Sequence, residues 1–336
     1  MIARERIAVL GAGSWGTALG VHLARAGHVV GLWARDETLV RDMRRARVNP
    51  RYLPQITFPE LLTPTSALDE ALESASFVVA AVPSHGLRAV VRAAAPRIPA
   101  PAILVSAAKG LEGGSLDRMS QVMAGETGDS RPIVVLSGPS FAAEVAQGLP
   151  TVVLAASTDA SAVARVQEGF RGPAFRLYGT DDVTGVEIGG AFKNVIAIAA
   201  GAVEGLGLGH NSMAALITRG LAEISRLACA EGGRRETLAG LSGLGDLVLT
   251  CTGDLSRNRH VGIELARGRT LDQVLAGMRM VAEGVRTTGA ALKLGARHGI
   301  ELPIAARMAA VLEGRESPRE AVETLMLRRQ RAETEV

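Results

Sequence analysis

The chain has 336 residues, 47% of them hydrophobic and 21% charged, with a formal net charge of +3. That length exceeds one small core and predicts two domains, and the apolar content is that of a globular protein, not a disordered one. A near-neutral balance, with only six Phe, two Tyr and two Trp for base stacking, argues against nucleic-acid binding. Two cysteines, Cys229 and Cys251, without a CxxC spacing predict reduced thiols and a cytoplasmic setting. The N-terminus runs into a strand without the apolar run of a signal peptide. The most apolar stretch, Val195 to Leu208, is interrupted by Glu204 and reads as too short and too polar at its ends to span a bilayer.

In chain order, Ile7-Ala8-Val9-Leu10 reads as a buried strand. Gly11-Ala12-Gly13-Ser14-Trp15-Gly16 comes next, then a helical stretch from Thr17 to Arg25, then a second strand from Val29 to Trp33. GxGxxG between a strand and a helix is a dinucleotide signature. The first glycine makes the tight turn, the second lets the backbone approach a pyrophosphate, the third lets helix pack on strand, and the helix N-terminus faces the phosphates. The second strand ends Ala34-Arg35-Asp36, with no acid at its last position. Asp36 suits the N-cap of the next helix, and Arg35 suits a ribose 2′-phosphate, which favours NADPH. The alternative is a solvated Arg35 with Asp36 on the ribose hydroxyls.

Further strands are expected at Phe77–Val82, Ala102–Ser106, Ile133–Leu136 and Thr151–Ala155, with a helix signal at Ser66 to Asp69 between them. This alternation predicts a doubly wound α/β sheet, a Rossmann-like fold whose ligands sit beyond the carboxyl ends of the strands. Pro83-Ser84, Lys109 and Gly138 to Ser140 should gather at that edge.

Beyond about residue 184 the strand pattern stops, so the domains divide as 1–186 and 187–336, the second all-helical. Thr184 to Glu187 has capping-box spacing. Ile188 to about Val203 is apolar almost all round and should be a buried helix. Later helices are expected at His210–Glu231, His260–Arg267, Thr270–Gly277, Glu283–His298, Pro303–Leu312 and Ser317–Leu327, with capping boxes at Thr270/Gln273 and Ser317/Glu320. Exposed apolar stripes on these helices make a homodimer the expected assembly.

Only three of the 37 basic side chains are lysines: Lys109, Lys193 and Lys293. A retained Lys can do what Arg cannot, because desolvation lowers its pKa toward proton transfer. Lys193 lies in the apolar helix beside Gly189, Gly190, Ile196, Ala197 and Ala200, mostly very small residues expected to leave room for a ligand. Asp246, a lone acid in the glycine-rich, non-repetitive run 240–259, needs a buried partner, and Lys193 is the natural one. Ser256-Arg257-Asn258 offers a hydroxyl, a guanidinium fork and an amide, a donor set suited to phosphate, at a helix start that Ser256 would cap.

Taken together, the chain resembles the bacterial-type NAD(P)-dependent glycerol-3-phosphate dehydrogenases from about Ile7 to Leu327. The resemblance rests on GAGSWGTAL (11–19), Pro83-Ser84-His85, AAKGLE (107–112), SGPSFAAE (137–144), GGAFKNVIAI (189–198), ITRGLAE (217–223), GLGDLVLTC (243–251) and SRNR (256–259). It implies reversible reduction of dihydroxyacetone phosphate to sn-glycerol 3-phosphate for phospholipid synthesis, with NADP(H) preferred and NAD(H) also admitted. Besides the glycine turn, it implies cofactor contacts from Ser14, Trp15, Arg35, Lys109, Ala142, Arg257, Val281 and Glu283. It implies substrate contacts from Lys109, Gly138, Ser140, Lys193, Asp246, Ser256, Arg257 and Asn258. Lys193 would be the proton donor and acceptor, Asp246 would orient it, Lys109 would polarise the reacting oxygen, and both domains would contribute. The six histidines show no metal-ligand spacing, so no metal is expected. A 3-hydroxy-acid dehydrogenase of similar build and a non-catalytic NADPH sensor are the competing readings.

Overall fold

A computed structural model describes residues 4–128, 131–278, 282–330 and 332–333. The chain forms two compact units. One comprises the chain up to Ala108 together with Met119–Val183; the other comprises Lys109–Arg118 and the chain from Thr184 onward. The short excursion at 109–118 joins the second unit through Leu111, which is buried in the helical core, and Arg118, whose guanidinium pairs with Glu187 at 2.7 Å.

The first unit is built on one eight-stranded sheet: β1 (Arg6–Leu10), β2 (Val29–Trp33), β3 (Leu62–Thr65), β4 (Phe77–Ala80), β5 (Ile103–Ser106), β6 (Ile133–Ser137), β7 (Thr151–Ala156) and β8 (Phe175–Thr180). The spatial order is β3-β2-β1-β4-β5-β6-β7-β8, parallel throughout except between β6 and β7. Both faces are covered, as a parallel sheet requires. On β1, Ile7 and Val9 enter one core while Ala8 and Leu10 enter the other. The two strands missing from the sequence expectation lie at the sheet's ends. β3 carries Pro64, which a strand tolerates at an edge. β8 buries Phe175 and Leu177 and exposes Arg176 and Tyr178. The helix expected to start from Ser66 spans Leu68–Leu72 without a side-chain cap. The Ser66 carbonyl instead accepts the Trp33 indole N–H at 2.9 Å.

The second unit is helical. Its axis is the helix Val183–Gly205, longer at both ends than its apolar core, with every residue from Gly185 to Val203 buried. At 23 residues it is long and apolar enough to cross a membrane; complete burial inside the unit sets it apart from a span, not the shortness expected from sequence. Thr184 is not the helix's N-cap, because the helix begins before it at Val183; Glu187 pairs with Arg118 at 2.7 Å. The capping boxes at Thr270/Gln273 and Ser317/Glu320 do form.

One buried acid has no signature in the sequence. Glu223, on the helix Gly209–Ala230, accepts the backbone N–H groups of Ile304 (2.7 Å) and Ala305 (3.4 Å) at the start of the helix Pro303–Leu312. Pro303 has no N–H, so these are the helix's first donors and Glu223 caps it from a distance. Burial raises the Glu223 pKa from 4.5 to about 7, against the pull of those N–H groups. A raised acid stabilises the fold below its unfolded value and loses that contribution as pH climbs through the folded value. Glu223→Gln keeps the acceptor without the titration. Thermal unfolding of the variant should therefore gain on the parent between pH 4.5 and 7, by on the order of 5 °C, and level off above. A constant difference across that range would count against the assignment.

Candidate active site

In the first unit the glycine turn joins β1 to the helix Ser14–Arg25. Gly11 has φ +116°, and a Cβ there would meet the Ala81 carbonyl at 2.7 Å. A Cβ on Gly16 would lie 1.9 Å from the Gly11 carbonyl, so the helix packs on the strand only with glycine at both positions. Gly13 differs: a Cβ there would meet nothing within 4 Å. The helix has no side-chain cap, and the indole Nε1 of Trp15 is buried without a hydrogen-bond partner. An open backbone, uncapped N–H groups and an orphaned donor fit a dinucleotide pyrophosphate.

β1, β2, β4, β5 and β6 run parallel, so the segments leaving their carboxyl ends lie along one sheet edge. After β2, Arg35 is exposed and Asp36 caps the helix Glu37–Ala46, accepting Leu39 N–H on Oδ1 at 3.0 Å. After β4, Pro83 precedes the helix Ser84–Ala94. After β6, Gly138 has φ +128° and its carbonyl accepts the Ser140 hydroxyl at 2.9 Å. Ala142 opens the helix Ala142–Gln147.

In the second unit the chemistry-bearing side chains converge on one carboxylate. The run around Asp246 is not irregular: a π-helical turn, Leu241–Gly245, leads into the helix Asp246–Thr252. This sets Asp246 and Thr250 one turn apart on one face. Lys193 donates to Asp246 Oδ1 and to the Thr250 hydroxyl (2.8 Å), while Lys109 donates to Asp246 Oδ2 at 2.7 Å. The Thr250 hydroxyl donates its own proton to the Asp246 carbonyl at 2.6 Å, leaving a lone pair for Lys193. Asp246 is 1% exposed and Lys193 8% by side chain, Lys109 more open at 19%. Burial lowers the Lys193 pKa from 10.5 to about 7, with Asp246 pulling the other way and Lys109 adding to the fall. Cys251, next to Thr250, is pushed by burial to about 12, which makes it packing and not a nucleophile.

The stripe of small residues beside Lys193 is not open space at Gly189: a Cβ there would strike the Ser242 carbonyl at 2.8 Å. The glycine admits the turn that leads to Asp246. Thr250 carries no signal in the sequence, because its role depends on the register of a helix that glycines obscure.

Ser256 caps the helix Arg257–Ala266, accepting Arg259 N–H at 3.2 Å, and Arg257 stands exposed at its first position. Asn258 is buried and already engaged. Its Oδ1 accepts Gly284 N–H at 3.0 Å and its Nδ2 donates to Asn194 Oδ1 at 2.9 Å, which leaves one amide proton for a ligand. Glu283 opens the helix Glu283–Arg297. Val281 lies outside the described residues.

A model described as the N-terminus of NAD-dependent glycerol-3-phosphate dehydrogenase matches residues 6–163, and one for the C-terminus of that enzyme matches 182–323. A glycerol-3-phosphate dehydrogenase (NAD(P)+) of Thioalkalivibrio sulfidiphilus is 52% identical over 332 residues, covering 99% of this chain and 100% of the relative. One from Koribacter versatilis is 51% identical over 328 residues, covering 96% and 97%. The crystal structure of glycerol-3-phosphate dehydrogenase from Coxiella burnetii superposes with a TM-score of 0.93 at 42% identity, covering 97% of this chain and 99% of that one.

Proposed function

Because the chain belongs to the NAD-dependent glycerol-3-phosphate dehydrogenase family, we propose that its lysine–aspartate cluster performs the proton transfer of that reaction. The enzyme reduces dihydroxyacetone phosphate reversibly to sn-glycerol 3-phosphate with NAD(P)H. The observation that carries the assignment is the buried Asp246 carboxylate held between Lys193 and Lys109.

The bound nicotinamide supplies the hydride. Gly11, Gly13, Ser14, Trp15 and Gly16 would hold the pyrophosphate side of the cofactor, with Arg35 at its ribose; Ala142 and Glu283 would complete its contacts. Arg257, with Ser256 and Asn258, binds the substrate phosphate, while Gly138 and Ser140 line the substrate. Lys193 gives its proton to the ketone oxygen in reduction and takes it back from the alcohol in oxidation. Asp246 and Thr250 fix the ammonium group so that its third proton is the one delivered. Lys109 shares the carboxylate and stabilises charge on the reacting oxygen. A preference for NADPH over NADH, a homodimer and a cytoplasmic, phospholipid-supplying role belong to the same reading. Arg35, exposed after β2, supports the first of these.

With the Lys193 pKa near 7, the two directions should mirror one another. Reduction needs the protonated form, so its kcat/KM should hold below pH 7 and fall about tenfold per unit above it. Oxidation needs the neutral form and should rise through pH 7 to a plateau. Initial rates from pH 5.5 to 9 in both directions test this. Parallel profiles would remove Lys193 as the titrating group.

A further inference from the structure

The end of β2 holds a second arginine that the sequence around the strand does not reveal. Arg51 comes from the segment after the helix Glu37–Ala46, and its Nη2 lies 3.0 Å from Asp36 Oδ2. A buried asparagine fixes that segment. Asn49 Nδ2 donates to the Ala12 carbonyl, inside the glycine turn, and to the Thr17 hydroxyl, both at 2.9 Å. Its Oδ1 accepts the backbone N–H of Arg51 at 3.3 Å and of Tyr52 at 3.2 Å. The backbone of Arg51 is thus tied to the turn that suits the pyrophosphate, and its side chain to the residue after Arg35.

This arrangement changes what Asp36 can do. An acid at the end of the second strand ordinarily accepts the ribose hydroxyls of NAD. Here one Asp36 oxygen caps Leu39 and the other holds Arg51. Leu39 N–H first, and Arg51 after it, keep the carboxyl below the usual carboxylate range, so it stays ionised and engaged. Arg51 also hydrogen-bonds to Tyr52, and Arg35 and Glu37 flank Asp36 along the chain. The Arg51–Asp36 pair is 44% and 41% exposed, and pairs so exposed hold their partners weakly. A phosphate dianion, which takes bidentate guanidinium contacts, would win Arg51 readily.

We propose that Arg51 is a specificity-determining residue for the cofactor, binding the ribose 2′-phosphate alongside Arg35 while withholding Asp36 from an unphosphorylated ribose. The inference rests on the NADPH reading above and extends it to a residue outside the strand and the glycine turn.

The test is calorimetric titration of the cofactor-free protein with adenosine 2′,5′-bisphosphate and with 5′-AMP, for the parent, Arg51→Gln and Arg35→Gln. Arg51 is exposed, so folding of its variant is not in question, and circular dichroism checks it. The expected result is that the parent favours the 2′-phosphorylated ligand. Arg51→Gln should then weaken that ligand about tenfold, the loss of one charge-assisted bidentate contact, and tighten 5′-AMP by about twofold as Asp36 is released to the ribose. If Arg35→Gln weakens the bisphosphate and Arg51→Gln does not, the NADPH reading stands and the role of Arg51 falls. If Arg51→Gln weakens both ligands equally, Arg51 supports the site in general and the proposal is overturned. If the parent does not distinguish the two ligands, the NADPH reading and this inference fail together.

Discussion

Asp246→Asn should cost the fold about 3–5 kcal/mol and nearly abolish turnover. The carboxylate accepts hydrogen bonds from two lysines in a buried setting, and removing one member of a buried ionic cluster leaves its partners without compensation. The amide is nearly isosteric, so the loss is one of charge, not packing. The direction with pH comes from the causes at Lys193. Asp246 is what opposes burial there, so without it the Lys193 pKa drops further below about 7. The stability gap between parent and variant should therefore widen as pH falls from 8 to 6, where Lys193 must take up its proton with no carboxylate beside it. The high-pH limit of the reduction profile should move to lower pH. Urea unfolding and initial rates over that range measure both effects. A variant with an unchanged profile would show that Asp246 does not set the protonation of Lys193.

Much of the fold and of the site is legible in the sequence wherever the signal is local. The glycine turn announces itself because its first and last glycines each answer a steric demand, from the Ala81 carbonyl at Gly11 to the Gly11 carbonyl at Gly16. Asp36, Ser256, Thr270 and Ser317 can be read as caps because a cap is settled within four residues. The expectations that fail depend on distant partners. Thr184 and Glu187 have the spacing of a capping box, but the helix starts earlier, at Val183, and the glutamate pairs with Arg118, 69 residues away. The small residues beside Lys193 look like room for a ligand, yet Ser242 fills the gap at Gly189. β3 is hidden by Pro64, which argues against a strand everywhere except at an edge. Glu223, Asn49 and Arg51 carry no pattern at all in one dimension; each acts on a segment that only the fold brings to it. The pairing of Asp246 with Lys193 is inferable because a buried acid demands a cation and the chain has few lysines. That Lys109 shares the carboxylate is not.

Lys193→Met carries the second large expectation. Methionine retains most of the apolar stem and suits the buried helix, and Lys109 still pairs with Asp246, so the fold should survive the substitution. The variant lacks the group that protonates the ketone oxygen. General acid catalysis of this kind is worth about 10²–10⁴-fold, and arginine at this position would not restore it, because a guanidinium does not release its proton. The glycine turn and Arg35 are untouched by the substitution, so the cofactor should bind as before. The deciding measurement is NADPH oxidation with saturating dihydroxyacetone phosphate, taken together with NADPH affinity from nucleotide fluorescence, for the parent and Lys193→Met. Turnover reduced by about 10³-fold with NADPH affinity retained is the predicted result. Near-normal turnover in Lys193→Met would contradict the assignment of the proton donor.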